Sequence, residues 1–367
     1  MMRLLLITND YPPKPGGIQQ YLGNLIDAYP GPVRVLAPDD GPASATGRGE
    51  DVVVRNSKTF MWPTPAVGDW VVNEAEAFEP DVVLFGAPYP LPWLGPRLQE
   101  ALRVPIGVLC HGAEVTLPAA FPGSRQVLRR MLAAADVRFA VSNFTAARVQ
   151  RLTGKPVRYV GAGVDLDTFH PGPPPNNEVP VVACVSRFVP RKGQDMVIDA
   201  AARLAESGIA IEVLLVGKGR TEGQLRRRAD RRGVDVRFEV DVPWGQLPDL
   251  YHQADVFCMP CSSRWGGLEV EGLGLVFLEA AASGLPVLAG DSGGAAETVE
   301  PARTGFVVRD VADIAEGIEM LVSDPVRAAE MGAAGRRRVE ADFTWSGVVA
   351  RLVAGFEDAA DRRSAGT

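Results

Sequence analysis

Short apolar runs rich in β-branched residues recur along the chain, and each is followed by a stretch with helical spacing. Five lie in the first half: RLLLIT (3–8), VRVLAP (33–38), DVVLFGA (81–87), IGVLCHG (106–112) and VRFAVS (137–142). The pattern restarts with VVACVSR (181–187), IEVLLVG (211–217), VRFEV (236–240), DVFCMP (255–260) and PVLAG (286–290). Runs that are apolar on both faces and separated by helices read as parallel strands of doubly wound sheets. Helical segments are expected at 18–29 and 91–102. Two such series predict two Rossmann-like α/β domains, and the cleft between facing sheets is the default place for a ligand.

The stretch FHPGPPPNNEVP (169–180) has a composition that no strand or helix interior accepts, so the domains are drawn at 1–167 and 168–344. The last segment, 345–367, has helical spacing and is expected to return to the first domain. A length of 367 residues fits two cores, and 46% hydrophobic residues supply them. The net charge of −7 argues against general nucleic-acid binding. Four cysteines make no disulfide framework, and the lone CxxC of Cys258 and Cys261 lacks the second pair a zinc site needs. No leader-like cleavage site and no run of ~20 apolar residues is present, which predicts a cytoplasmic protein.

Three motifs fall at expected strand ends. In NDYPPKPGGIQQYL (9–22), Gly16 and Gly17 precede a helix, where backbone N–H groups attract anions; the alternative is a plain connecting loop. In SRFVPRKGQD (186–195), Arg187, Arg191 and Lys192 crowd a helix N-terminus, a site for a diphosphate or else a solvated basic loop. In VEGLGLVFLEAAASG (270–284), Glu271 and Glu279 bracket Gly272 and Gly274 in an otherwise apolar segment. A buried carboxylate needs a partner. Either Glu279 serves the helix N-terminus, or both acids receive the vicinal hydroxyls of a sugar and a ribose.

Glutamate, seven residues, glutamate resembles the E-x7-E motif of family 4 glycosyltransferases, retaining enzymes of the GT-B fold. HGAEV (111–115), GVDLDTFHP (163–171), ADVFCMPC (254–261) and GGAAETV (293–299) follow in the family's order. Within the family the motifs are most similar to GDP-mannose-dependent phosphatidylinositol monomannoside mannosyltransferases. The resemblance implies that Arg187 and Lys192 hold the donor diphosphate and that Glu279 binds the ribose. It implies that Glu271, with the backbone of Gly272, Leu273, Gly274 and Leu275, surrounds the hexose. Gly16 and Gly17 would close on the diphosphate from the other domain, and His111 would line the reaction centre. Val240 and Asp241 are the candidates beside the base. The donor would be GDP-mannose, with no metal and no resident cofactor; the partners would be that donor and a lipid or sugar acceptor.

For a lipid acceptor, Phe60, Met61, Trp62 and Trp70 offer large apolar side chains, three of them aromatic, in and around a loop, and Arg125, Arg129 and Arg130 offer a basic helix face for an anionic leaflet, which would place the protein peripherally at the inner face of the plasma membrane. Core packing and a solvated face are the alternatives, and LRRRADRRG (225–233) reads as a solvated helix. Asp165 and Asp167, His170 and His252 are assigned no chemistry; Asp10, at the end of the first strand, is expected either to touch the acceptor or to cap its loop; Glu114 is expected either to orient His111 or to contact the acceptor, and Ser142 to cap a helix. The stretch 38–51, the linker after Phe169 and Trp265 depart from the mannosyltransferase pattern and bear on the acceptor. A UDP-sugar donor with a soluble acceptor, a 2-epimerase of the same fold and a non-catalytic nucleotide binder are the competing readings.

Overall fold

The computed structural model describes residues 1–39 and 52–365, in two compact units: Met1–Ala162 with Trp345–Thr367, and Gly163–Thr344. The division falls after Ala162, ahead of the proline-rich stretch, and the C-terminal segment belongs to the first unit. Most of the unusual stretch 38–51 lies outside the described residues.

The first unit carries β1 (Leu4–Ile7), β2 (Val33–Pro38), β3 (Val53–Asn56), β4 (Val82–Phe85), β5 (Ile106–Cys110), β6 (Val137–Ala140) and β7 (Arg158–Tyr159). They form one parallel sheet in the order β3-β2-β1-β4-β5-β6-β7. The second unit carries β8 (Val181–Val185), β9 (Glu212–Val216), β10 (Val236–Glu239), β11 (Val256–Met259), β12 (Val287–Gly290) and β13 (Gly305–Val308), parallel in the order β10-β9-β8-β11-β12-β13. Three strands are additions to the sequence reading: β3, β7 and β13. Each sits at a sheet edge, where one flank meets solvent and the apolar signal thins.

Six helices flank the first sheet: α1 (Gly17–Ala28), α2 (Pro65–Phe78), α3 (Gly95–Leu102), α4 (Ala113–Ala119), α5 (Pro122–Ala134) and α6 (Asn143–Thr153). The expected helix 91–102 is in fact a 3-10 turn, Leu91–Leu94, followed by α3. In the second unit lie α7 (Gln194–Glu206), α8 (Glu222–Arg232), α9 (Leu247–Tyr251), α10 (Leu275–Ala282), α11 (Val311–Ser323) and α12 (Pro325–Asp342). The last helix, α13 (Trp345–Ala365), docks on the first sheet through Phe356, which meets Phe139 edge-on at 5.2 Å between ring centres. Gly107 makes that docking close: a Cβ there would stand 2.7 Å from the Phe356 ring.

Strand order reverses between β1 and β4 in one sheet and between β8 and β11 in the other. Helices leave to opposite faces on either side of such a point, so a crevice opens at the strands' carboxyl ends. Thr8 to Asp10 and Gly86 stand at the first of these, and Ser186, Arg187 and Pro260 at the second.

Candidate functional site

The second unit gathers its charges around Glu271. Beyond β8 the chain makes a 3-10 turn, Pro190–Lys192, and passes through Gly193 before α7. Gly193 has φ +74°, and a Cβ there would lie 2.4 Å from the Pro260 carbonyl oxygen, so a larger residue would displace the turn. Gln194 ties the turn back, its amide donating to the Ser186 hydroxyl at 2.8 Å and the Arg187 carbonyl at 2.9 Å. The result drives two cations inward. Lys192 Nζ donates to Glu271 Oε2 at 2.7 Å, and Arg191 donates to the same oxygen. Arg191 also lies 3.7 Å from Glu269 Oε1.

The Glu271 backbone is clamped as firmly as its side chain. Its N–H donates to the Ser292 hydroxyl at 3.2 Å, and its carbonyl accepts from Gly294 at 2.9 Å. A Cβ at Gly293 would come within 1.9 Å of that carbonyl, which explains the glycine in GGAAETV. Burial alone would raise the Glu271 pKa, but Lys192 and Arg191 bring it down to about 2, so the group is a permanent carboxylate.

Glu279 is in the opposite state. It is the fifth residue of α10, past the first turn where the helix dipole acts, so the N-terminal reading does not hold. It is buried, and the Tyr251 hydroxyl donates to its Oε2 at 3.1 Å. Burial pushes its pKa up to about 7, against the opposing pull of that hydrogen bond. Tyr251 is held edge-on by Phe169 and tilted against Phe257. No spacing in the sequence singled out Tyr251, Ser292 or Glu269.

Gly272 and Leu273 lead to Gly274, at φ +89° immediately before α10, with Leu275 as the first helical residue. Arg187 stands exposed at the end of β8, with no side-chain partner among the described residues. Val240 and Asp241 follow β10, and Lys218, from the loop after β9, pairs with Asp241.

In the first unit, His111 ends β5 in a buried position, with Nε2 2.9 Å from the Gly86 carbonyl oxygen. A carbonyl only accepts, so Nε2 is the protonated nitrogen, and in the neutral ring Nδ1 is the one left to accept. Tyr21 packs edge-on against the ring at 5.2 Å. Glu114 meets His111 at its backbone: its carboxylate accepts from the backbone N–H groups of His111 and of Gly112, the latter at 2.8 Å. Gly16 precedes α1 and Gly17 opens it, with open space where a Gly17 side chain would be. Across that loop Gln19 donates to Asp10 Oδ1 at 2.7 Å.

The remaining positions take structural places. Ser142 caps α6, Asp165 accepts from Asp167 and Thr168, and His252 meets the His170 carbonyl at 2.7 Å. Cys258 and Cys261 are buried free thiols, the latter pushed up to about 12 by burial. Met61 is fully buried, its backbone bonded to the Asn9 amide, and Trp70 lies within α2 against the core, which corrects their placement on an exposed loop. Phe60 and Trp62 are exposed and stack at 5.0 Å, with Tyr89 6.3 Å beyond Trp62.

Two doubly wound units with charged and polar residues at their switch points form the GT-B architecture, and the comparisons agree. Residues 166–338 match the family described as glycosyl transferases group 1, and residues 15–168 match glycosyltransferase family 4. The chain is 39% identical over 379 residues to the GDP-mannose-dependent alpha-(1-6)-phosphatidylinositol monomannoside mannosyltransferase of Mycobacterium tuberculosis, covering 96% of this chain and 97% of that one. It is 38% identical over 369 residues to the GDP-mannose-dependent monoacylated alpha-(1-6)-phosphatidylinositol monomannoside mannosyltransferase of Corynebacterium glutamicum, covering 95% and 96%. Among solved structures, Anabaena HepE in complex with UDP superposes with a TM-score of 0.80 at 20% identity, over 97% of this chain and 100% of that one, a likeness of fold. The protein is therefore a GT-B glycosyltransferase. It belongs to the group 1 and family 4 glycosyltransferases, as the motif resemblance implied.

The ionisation of Glu279 sets a pH dependence that Glu279→Gln removes. With a folded pKa of about 7 against the ordinary 4.5, the folded state holds the extra proton between those values. Stability is complete below about pH 4.5 and falls as pH rises toward 7. Thermal unfolding should find Glu279→Gln close to the wild type at pH 4.5 and more stable at pH 8, by up to about 3 kcal/mol at ~1.4 kcal/mol per pKa unit. A difference independent of pH would show that Glu279 is not held in a desolvated site.

Proposed function

We infer that the protein is a retaining α-mannosyltransferase that moves mannose from GDP-mannose to a phosphatidylinositol mannoside. The observation that carries this reading is identity near 39% across almost the whole chain to enzymes of that description, together with an intact cation–carboxylate cluster at the second switch point.

Arg187 and Lys192 bind the donor diphosphate. Their charge matters most as the bond between the sugar's C1 and the phosphate oxygen breaks, because negative charge then gathers on the leaving GDP. With Arg191 beside them, three cations meet the diphosphate, so no metal is required for its neutralisation. Glu271, ionised at every working pH, accepts from hydroxyls of the hexose, and the backbone of Gly272 to Leu275 lines the same segment. Glu279, steadied by Tyr251, accepts from the ribose diol. Gly16 and Gly17 offer backbone N–H groups to the diphosphate, and the free Nδ1 of His111 accepts from a sugar hydroxyl. Val240 and Asp241 stand with the base.

Retention follows from a front-face substitution. The acceptor oxygen bonds to C1 on the side the phosphate leaves, and its proton passes to the departing phosphate oxygen. A double displacement needs a carboxylate free to attack C1. Glu271 is shared between two cations and Glu279 is bonded to Tyr251, so neither is arranged as that nucleophile.

Calorimetric titration with GDP, UDP and ADP, with and without magnesium, tests the donor. GDP should bind tightest and without metal, and Lys192→Ala should lose most turnover while still folding, at a lower melting temperature because a partner of the buried Glu271 pair is gone. A preference for UDP would favour a UDP-sugar donor, and wild-type rates in Lys192→Ala would remove the diphosphate assignment.

A lipid acceptor calls for a membrane route. Among the described residues no helix is long and apolar enough to cross a membrane. Instead, α5 exposes Arg125, Arg129 and Arg130, and the first unit exposes Phe60 and Trp62. We propose that this unit docks on an anionic leaflet. At about 1 kcal/mol per basic residue, replacing the three arginines by glutamine should weaken binding to phosphatidylinositol-containing vesicles roughly a hundredfold. Unaltered co-sedimentation would leave α5 as a solvated face.

A further inference from the structure

The arginine-rich stretch 225–233 reads from sequence as a solvated face, and the structure divides it in two. Arg226 bonds Glu222 at 2.9 Å, and Arg228 and Arg232 share Asp199. Arg227 and Arg231 stand apart: neither guanidinium meets an acid among the described residues, and the Arg231 Nε donates only to the Arg227 carbonyl. Both line a groove of about 300 Å³ between α7 and α8, together with Gln194, Thr221 and Gln224. That volume is at the lower end of small-molecule sites.

Thr221 makes the groove more than a gap between helices. It is 7% exposed and lines the groove, and its buried hydroxyl has no hydrogen-bond partner. It occupies the position before α8 where a threonine usually caps the helix, yet its side chain makes no such bond. A buried hydroxyl left unpaired is unfavourable, and a bound acceptor oxygen would relieve it. Asp195 also lines the groove and acts electrostatically on Arg228, and among the described residues no salt bridge joins it to Arg227 or Arg231.

We propose that this groove binds the phosphate monoester of a small molecule, held by Arg227 and Arg231 as a fork and by the Thr221 hydroxyl. The site is separate from the donor cluster, since it contains none of Arg187, Lys192, Glu271 or Glu279. It adjoins that cluster through the chain: Pro190 and Gln194 line the groove, and the residues between them include Arg191 and Lys192. An occupant therefore sits against the segment that carries Arg191 and Lys192.

The test uses the full chain saturated with GDP, so that the donor site is filled, titrated calorimetrically with inorganic phosphate and with glycerol 3-phosphate. The wild type should show one further saturable site. Arg227→Gln combined with Arg231→Gln, and separately Thr221→Val, should weaken it at least tenfold, about 1.4 kcal/mol, with melting temperature unchanged. Phosphatidylcholine vesicles with and without phosphatidic acid, run in parallel, tell a headgroup phosphate from a soluble one by which of the two the same substitutions release. Absence of saturable binding to the GDP-loaded wild type, by both soluble probes and vesicles, would overturn the proposal. So would binding that the substitutions leave untouched.

Discussion

The carboxylate of Glu271, sunk below the surface and shared by Lys192 and Arg191, is the interaction around which the second unit is arranged. Removing one partner from a buried ion pair costs about 3–5 kcal/mol, because the other is left as an uncompensated charge. The surrounding sequence serves that pairing. Gly193 admits the turn that carries the cations past the Pro260 carbonyl, and Gly293 lets a second loop close on the Glu271 backbone. Glycine at those two places is a steric requirement, set by backbone atoms that a Cβ would strike.

The two glutamates of the E-x7-E motif differ in chemistry although they differ little in burial. Glu271 is surrounded by cations and stays ionised; Glu279 has a neutral hydroxyl and an apolar setting, and holds its proton until near neutrality. One acid is charged before any ligand arrives. The other becomes a full acceptor only near pH 7. The first unit uses a third device for His111, whose tautomer is fixed by the Gly86 carbonyl and whose backbone is fixed by Glu114.

Much of this was legible in the sequence, for identifiable reasons. Central parallel strands are buried on both faces and read as continuous apolar runs, so the inner strands of both sheets were evident. The edges β3, β7 and β13 were not, because two of them, β3 and β7, carry no fully buried residue and β13 is half-buried at its centre. Motif residues were legible where glycine and charge sit side by side, as at 191–193 and 271–274. Their partners were not. Tyr251 lies 28 residues from Glu279 in sequence, and Ser292 lies 21 from Glu271, in segments with no pattern to mark them. The roles of Phe60, Met61 and Trp62 depend on which way each side chain turns, and periodicity in a loop carries no such information.

The central claim is that Glu271 holds the diphosphate cations until a donor takes them. The most direct measurement is the affinity of GDP for Glu271→Gln against the wild type, read beside mannosyl transfer by the same proteins. The account predicts tighter GDP binding, because a competing negative charge is gone, and transfer largely lost, because the hexose has lost its carboxylate. Weaker GDP binding with transfer retained would contradict it, and would leave Glu271 as a structural counter-ion alone.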